Sequence, residues 1–102
     1  MKVIWTARAR VELDEIADYV APISASAALA LVRRLRQAGK QLGEHPHMGR
    51  PGRVDGSREL VVNGTPYILP YRVRDILPYR VRDGRVEILA VLHASRQWPD
   101  QL

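Results

Sequence analysis

The sequence predicts an α+β fold: an N-terminal strand and a two-helix hairpin packed on one face of an antiparallel C-terminal β-sheet. Three observations carry that expectation. Apolar residues recur with a helical period up to Leu42, then with a period of two from Arg58 onward. A stretch dense in Pro and Gly, residues 45–56, separates the two regimes. The length of 102 residues, 46% of them hydrophobic, suits one domain, 1–102, around one core.

The elements follow in order. Residues 2–5 form a short apolar strand, ended by Thr6, whose hydroxyl suits a helix N-cap. Leu13, Ile16, Ala17 and Val20 then fall at i, i+3, i+4 and i+7, the stripe of an amphipathic helix, and Pro22 stops it. Ser24 or Ser26 caps a second helix whose inner face is Ala28, Leu31, Val32, Leu35, Ala38 and Leu42. Its other face carries Arg33, Arg34, Arg36 and Lys40 and reads as solvated. Residues 43–46 end it. Beyond the Pro/Gly-rich loop, residues 58–62 form a strand, 63–66 a turn, and Tyr67 opens a longer extended stretch. Asp83-Gly84 reads as a two-residue hairpin turn leading into a last strand, 86–92.

Residues 68–75 read ILPYRVRD and residues 76–83 repeat it without a difference. Repeat architectures have periods of roughly 20–50 residues and need about three units, so this is one strand-length element present twice. Sixteen residues in one strand would reach about 53 Å, more than the segment 85–92 can pair with. A two-residue turn fixes register. The expectation is therefore that the second copy, 76–83, holds the central strand position and that 68–75 is looped out or paired elsewhere. Pro70 and Pro78 each remove a ladder donor and favour an edge or a bulge. A surplus strand also offers an edge for a dimer through the duplicated strand.

Composition excludes several classes. No run approaches the ~18 apolar residues of a membrane span, and residues 1–10 lack the apolar core of a signal peptide. There is no cysteine, hence no disulfide scaffold or thiolate metal site, which fits the cytoplasm. His45 and His47 flank Pro46 without a third ligand at metal-site spacing, and no Gly-rich phosphate loop opens a helix. No metal and no cofactor are expected. The net charge is +5, and 14 of the 16 basic residues are Arg, whose flat donor fork suits phosphates, carboxylates and protein interfaces.

Several segments together resemble the RelE/ParE superfamily of toxins from bacterial type II toxin–antitoxin systems. They are the opening VIWT, then AxxELDEIADYV, LGEHP, MGRPGR, RELVV, PYRVRDGRVEILAVLH and the closing HASRQW. LGEHPHMGRPGR with VEILAVLH is closer to ParE-type members. The chain departs from the pattern in its second ILPYRVRD and in Ala90, where many relatives place Arg. The resemblance implies a small cytoplasmic toxin silenced by a cognate antitoxin, whose tail would cover basic residues. It leaves two targets open, because RelE-like members cut mRNA on the ribosome and ParE-like members poison DNA gyrase.

Metal-free RNA cleavage needs a base for the 2′-hydroxyl, cations for the phosphorane charge and an acid for the leaving oxygen. The candidates are Arg58, Tyr79, Arg80, Arg82, His93 and Arg96. After His93 the tail supplies no Tyr and one cation, a thin constellation, and His93 reads better as a strand-end structural imidazole. Glu44 and Glu87 read as helix-end and cross-strand charges rather than bases. Gyrase inhibition asks for exposed anchors, and Arg and Trp dominate binding hot spots. Arg50, Arg53, Arg58, Arg80, Arg82, Arg96 and Trp98 are the candidates for binding target or antitoxin. Trp98 serves equally as an anchor or as a cover for the core edge. Gyrase inhibition is the expected function. The alternatives are a ribosome-dependent mRNA endonuclease and a variant that retains only antitoxin binding.

Overall fold

In the computed structural model the described residues are 1–76, 80–96 and 98–99, with the side chains at 75–76 and 80–83 outside the description. The elements are β1 (Lys2–Trp5), α1 (Ala7–Val20), α2 (Ala25–Glu44), β2 (Arg50–Pro51), β3 (Arg58–Val61), β4 (Tyr67–Ile76), β5 (Arg80–Ile88) and β6 (Leu92–His93). Thr6 caps α1 through its hydroxyl, which accepts the Ala9 N–H at 3.2 Å, and Ser24 caps α2 in the same way for Ala27 at 3.1 Å. The strands run in the order β1-β5-β4-β3-β2, with β6 beside the start of β4. The sheet is antiparallel except at one edge, where β1 joins β5 in parallel. That makes it a mixed sheet, a consequence of the helix hairpin carrying the chain across before the meander begins.

One face of the sheet takes the helices. Leu60 and Val62, Leu69 and Tyr71, and Val86 and Ile88 meet Ala9, Leu13, Leu35, Ala38 and Leu42 in a single buried cluster. Two glycines let α2 lie close to β1. A Cβ on Gly39 would sit 2.5 Å from Trp5 Cζ2, and one on Gly43 would sit 2.7 Å from the Met1 carbonyl oxygen. Tyr71, fully buried, accepts the Gly49 N–H at 2.9 Å and donates to the Pro46 carbonyl at 2.8 Å. The Pro/Gly-rich loop is thus anchored on the core, and burial pushes the Tyr71 phenol above its ordinary pKa.

The repeat resolves opposite to expectation. The first copy holds the central position: Leu60 faces Leu69 and Glu59 faces Pro70 on one side, while Tyr71 faces Ile88 and Val73 faces Val86 on the other. Asp83 and Gly84 make no hairpin turn; they lie inside β5. The described residues of the second copy, 76 and 80–83, therefore lie in β4 and β5 beyond Arg74 and Arg85, which face each other, with a register irregularity between Arg74 and Ile76. Pro78 and the rest of residues 77–79 lie outside the described residues. The physical reason concerns the core. Both copies offer the same side chains, so the copy that follows the 63–66 turn directly pairs with β3 first and needs no looped-out segment.

The last strand is also interrupted. β5 ends at Ile88 and β6 resumes at Leu92, so Leu89, Ala90 and Val91 oppose only Leu69 and Pro70. This is a bulge at the proline, as the missing donor of Pro70 favours. The displaced backbone groups find other partners. Leu89 N–H donates to the Pro70 carbonyl at 2.9 Å, the Thr6 hydroxyl donates to the Leu89 carbonyl at 3.1 Å, and Val91 N–H donates to Glu12 Oε1 at 3.0 Å. Ala90 is fully buried inside the bulge, so an Arg at this position would have no solvent to reach here without a rearrangement.

Candidate functional site: a groove beside the C-terminal bulge

The bulge brings α1 and the C-terminal segment together around a groove of about 730 Å³. Arg8, Glu12, Glu15, Ile16 and Tyr19 form one wall, and His93, Arg96 and Trp98 stand on the other. Tyr19 is 74% exposed and adds an apolar rim. Glu12 joins that wall to the bulge, paired with Arg8 at 3.7 Å and accepting the Val91 N–H. Burial raises its pKa above the ordinary carboxylate value, against the lowering influence of the Val91 N–H and Arg8.

Of the predicted site residues, the groove gathers three. His93 packs edge-on against Tyr67, ring centroids 5.5 Å apart, and its Nδ1 accepts the Ser95 N–H at 3.2 Å with the Ser95 hydroxyl at 2.9 Å. A backbone N–H can only donate, so Nδ1 carries the lone pair and the neutral ring holds its proton on Nε2. Its basic nitrogen is already occupied by the adjoining turn. Arg96 is exposed at the rim. Trp98 folds back: its indole N–H donates to the His93 carbonyl at 3.3 Å, and the Arg53 guanidinium lies 3.8 Å from its ring centroid. It is half-buried, and it ties the C-terminal segment to the loop before β3.

The other arginines are elsewhere. Arg50 and Arg53 do grip a carboxylate, but it is the chain's own Glu59, only 3% exposed. Arg50 approaches it at 3.2 Å, Arg53 at 3.7 Å, and the Arg53 N–H donates to it at 2.9 Å. Arg58 donates to the carbonyls of His47 and Gly49 and pins the loop over Tyr71. Tyr79 lies outside the described residues, as do the side chains of Arg80 and Arg82, whose backbones belong to β5. Glu87 is a cross-strand charge, as expected. It pairs with Arg74 and with Arg85, and the Arg74 hydrogen bond holds its carboxyl below the ordinary value, so it is a weak base.

Sequence reading missed Glu12, Arg8 and Tyr19 as walls of the groove. The available signal was weak: three polar or aromatic residues on one flank of a helix whose stripe was assigned to the core. It also missed Arg72 and Arg74, which stand on the sheet face away from the helices. There Arg72 donates to the Asp55 carbonyl at 2.9 Å. Among the described residues, no group of three His, Asp or Glu side chains gathers in a way that could hold a metal ion.

Similarity to known proteins agrees with this architecture. Residues 3–98 match the family model for the ParE toxin of the type II toxin–antitoxin system parDE. The Y4kP protein of Sinorhizobium fredii, whose name classes it with toxins, is 45% identical over 102 residues, 99% of this chain and 96% of that one. Toxin RelE2 of Caulobacter vibrioides is 39% identical over 95 residues, covering 93% of this chain and 97% of its own. A solved structure of a chromosomal ParDE system from P. aeruginosa superposes with a TM-score of 0.77 at 30% identity, covering 93% and 97% of the two chains. With nearly the whole length matched, fold and sequence lead to one conclusion: the chain belongs to the ParE toxin family of type II toxin–antitoxin systems, within the RelE/ParE superfamily.

Proposed function

We propose that this toxin acts as a non-enzymatic inhibitor of DNA gyrase in the cytoplasm and is neutralised by a cognate antitoxin. The observation that supports this most is the engagement of two of the nuclease candidates, Arg58 and His93, and of Glu87. Among the described residues, Arg58 is committed to loop carbonyls, Glu87 is held ionised by Arg74 and Arg85, and the lone pair of His93 is taken by Ser95. General acid–base cleavage needs such groups free and converging on one phosphate. An inhibitor needs only a shaped surface with anchors, and the groove beside α1 supplies one with Tyr19, Arg96 and Trp98 on its rim.

The alternative is ribosome-dependent mRNA cleavage, favoured by the similarity to a protein named RelE2. The two readings separate in a paired assay. Added toxin should stop gyrase supercoiling and leave toeprints of a translating ribosome unchanged. Codon-specific cleavage abolished by His93→Ala would establish the nuclease instead. Loss of both activities, with antitoxin still bound, would identify a variant that retains only antitoxin binding.

A further inference from the structure

The repeat gives β4 two ways to fill one place in the sheet. In the observed register Leu60 faces Leu69, Arg58 faces Tyr71, Val86 faces Val73 and Leu92 faces Ile68. A shift of β4 by one copy puts Leu77, Tyr79, Val81 and Ile76 against those same partners, because the copies are identical. The copy length is even, so each side chain keeps its face of the sheet. The buried roles of Leu69 and Tyr71 pass to Leu77 and Tyr79, and the core does not distinguish the two arrangements.

The ends of the strand do distinguish them. In the observed register residues 62–66 connect β3 to β4, and residues 75–84 separate the facing Arg74 and Arg85. After the shift residues 62–74 make the first connection, and Asp83-Gly84 alone joins Arg82 to Arg85, a two-residue turn suited to a hairpin. The longer connection costs an entropy that grows only slowly with length. Against it, the tight turn removes the irregularity between Arg74 and Ile76. One position in the ladder changes its side chain. Tyr67 faces His93, packs edge-on against it with ring centroids 5.5 Å apart and touches the core cluster; after the shift Asp75 stands there instead. The packing of Tyr67 makes the observed register the major one.

We propose that β4 is a register switch that exchanges between these two arrangements and thereby remodels the groove beside α1. In the observed register Tyr67 lines that groove. In the second, Asp75 replaces it beside His93, and residues 67–74 leave the ladder for the connection at the groove's rim. That connection already borders the C-terminal segment, since the Ala94 N–H donates to the Pro66 carbonyl at 2.8 Å. The switch thus carries one copy's length of chain from the hairpin end of the sheet to the groove end. β4 is paired on both sides, so exchange requires the central ladder to open and is slow. Two packings of one sequence around the same core are the condition for such bistability. The switch acts on the shape of the groove and is independent of the toxin's target.

Saturation-transfer NMR on the full chain tests this. It should find a second His93 ring signal, populated at about 1% or more and lacking the ring-current shift from Tyr67. The chain shortened by one copy cannot slip and should show a single signal. Leu69→Asp should drive the full chain into the second register: its thermal melt should show a folded protein, with cross-strand proton contacts between Val81 and Val86. Tyr67→Asp makes the two arrangements alike beside His93 and should raise the second population about tenfold or more. Absence of saturation transfer in the parent, a second signal that survives in the shortened chain, or an unchanged population in Tyr67→Asp would each overturn the proposal. So would an unfolded full-length Leu69→Asp, or one in which Val86 still contacts Val73.

Discussion

At the residue scale, polar side chains are occupied by local structural tasks. Glu12 shows this most clearly, since one carboxylate oxygen takes the N–H released by the bulge at Val91. Glu12→Gln keeps a carbonyl acceptor and should change stability by less than about 1 kcal/mol. Glu12→Ala leaves that N–H without its partner and should cost about 1–3 kcal/mol in urea denaturation. The two acids with shifted pKa values act in opposite directions with pH. The folded-state pKa of Glu12 is raised by burial, so its contribution is fully present below the ordinary carboxylate value of 4.5 and is lost as pH rises through the raised value. That of Glu87 is lowered by Arg74, so its contribution is present above 4.5 and is lost as pH falls through the depressed value. Unfolding midpoints measured against pH should accordingly show a flatter acid limb in Glu87→Gln than in the parent chain. Trp98 falls between the two roles open to it from sequence. Removing its cation–π contact and its single hydrogen bond should cost about 1–2 kcal/mol, less than a core tryptophan and more than a free anchor. A loss within a few tenths of a kcal/mol would mean that the fold-back contributes nothing to stability.

At the scale of elements, helix boundaries were legible because their signals are local. The Thr6 and Ser24 caps, the stop near Pro22 and the apolar stripe of α2 each depend on residues a turn apart. The role of Gly39 was not legible, since a helix-interior glycine reads only as a propensity cost until β1 lies against it. Gly39→Ala gains helix propensity of up to about 1 kcal/mol but drives a methyl to 2.5 Å from the Trp5 ring. Overpacking typically costs about 1–3 kcal/mol, so the net effect should be a lower melting temperature, by several degrees for a domain of this size. An unchanged or higher melting temperature would show that Trp5 can move aside. β2, two residues long, was missed for the same reason: Arg50 and Pro51 become a strand only by facing Glu59 and Arg58.

At the scale of the whole molecule, the repeat is decided by closure of the sheet. Because the copies are identical, deleting residues 68–75 or 76–83 produces the same polypeptide. In it Asp75 would be followed directly by Gly84, and Arg74 and Arg85 would flank a two-residue Asp-Gly turn. Those two residues already face each other in the full-length chain. The extra octapeptide therefore enters at the hairpin end and leaves the register of the core intact. The shortened chain should fold with Val73 still opposite Val86, melt no lower than its parent and bind the same antitoxin. Cross-strand proton contacts and a thermal melt would check this, and an unfolded product would show that the extension contributes to the core. The extension also bears on self-association: a dimer through the duplicated strand should appear in sedimentation profiles of the full-length chain and disappear on deletion, and a monomeric full-length chain would rule it out.

The sequence by itself determined the first strand, the two helices with their capping residues, the inner face of α2 and the family pattern, because each rests on short-range spacing or on a linear motif. It marked Pro70 and Pro78 alike as places where a ladder donor is missing; the bulge lies at Pro70, and Pro78 is outside the described residues. Only the tertiary structure decided which copy of ILPYRVRD is central, that β1 lies parallel at the sheet edge, and that Arg50, Arg53, Arg58 and His93 are held by partners within the chain. These are long-range outcomes. Identical side chains compete for one position, and an arginine's partner, such as Glu59 or the Gly49 carbonyl, is brought near by the folding of a loop rather than by sequence spacing.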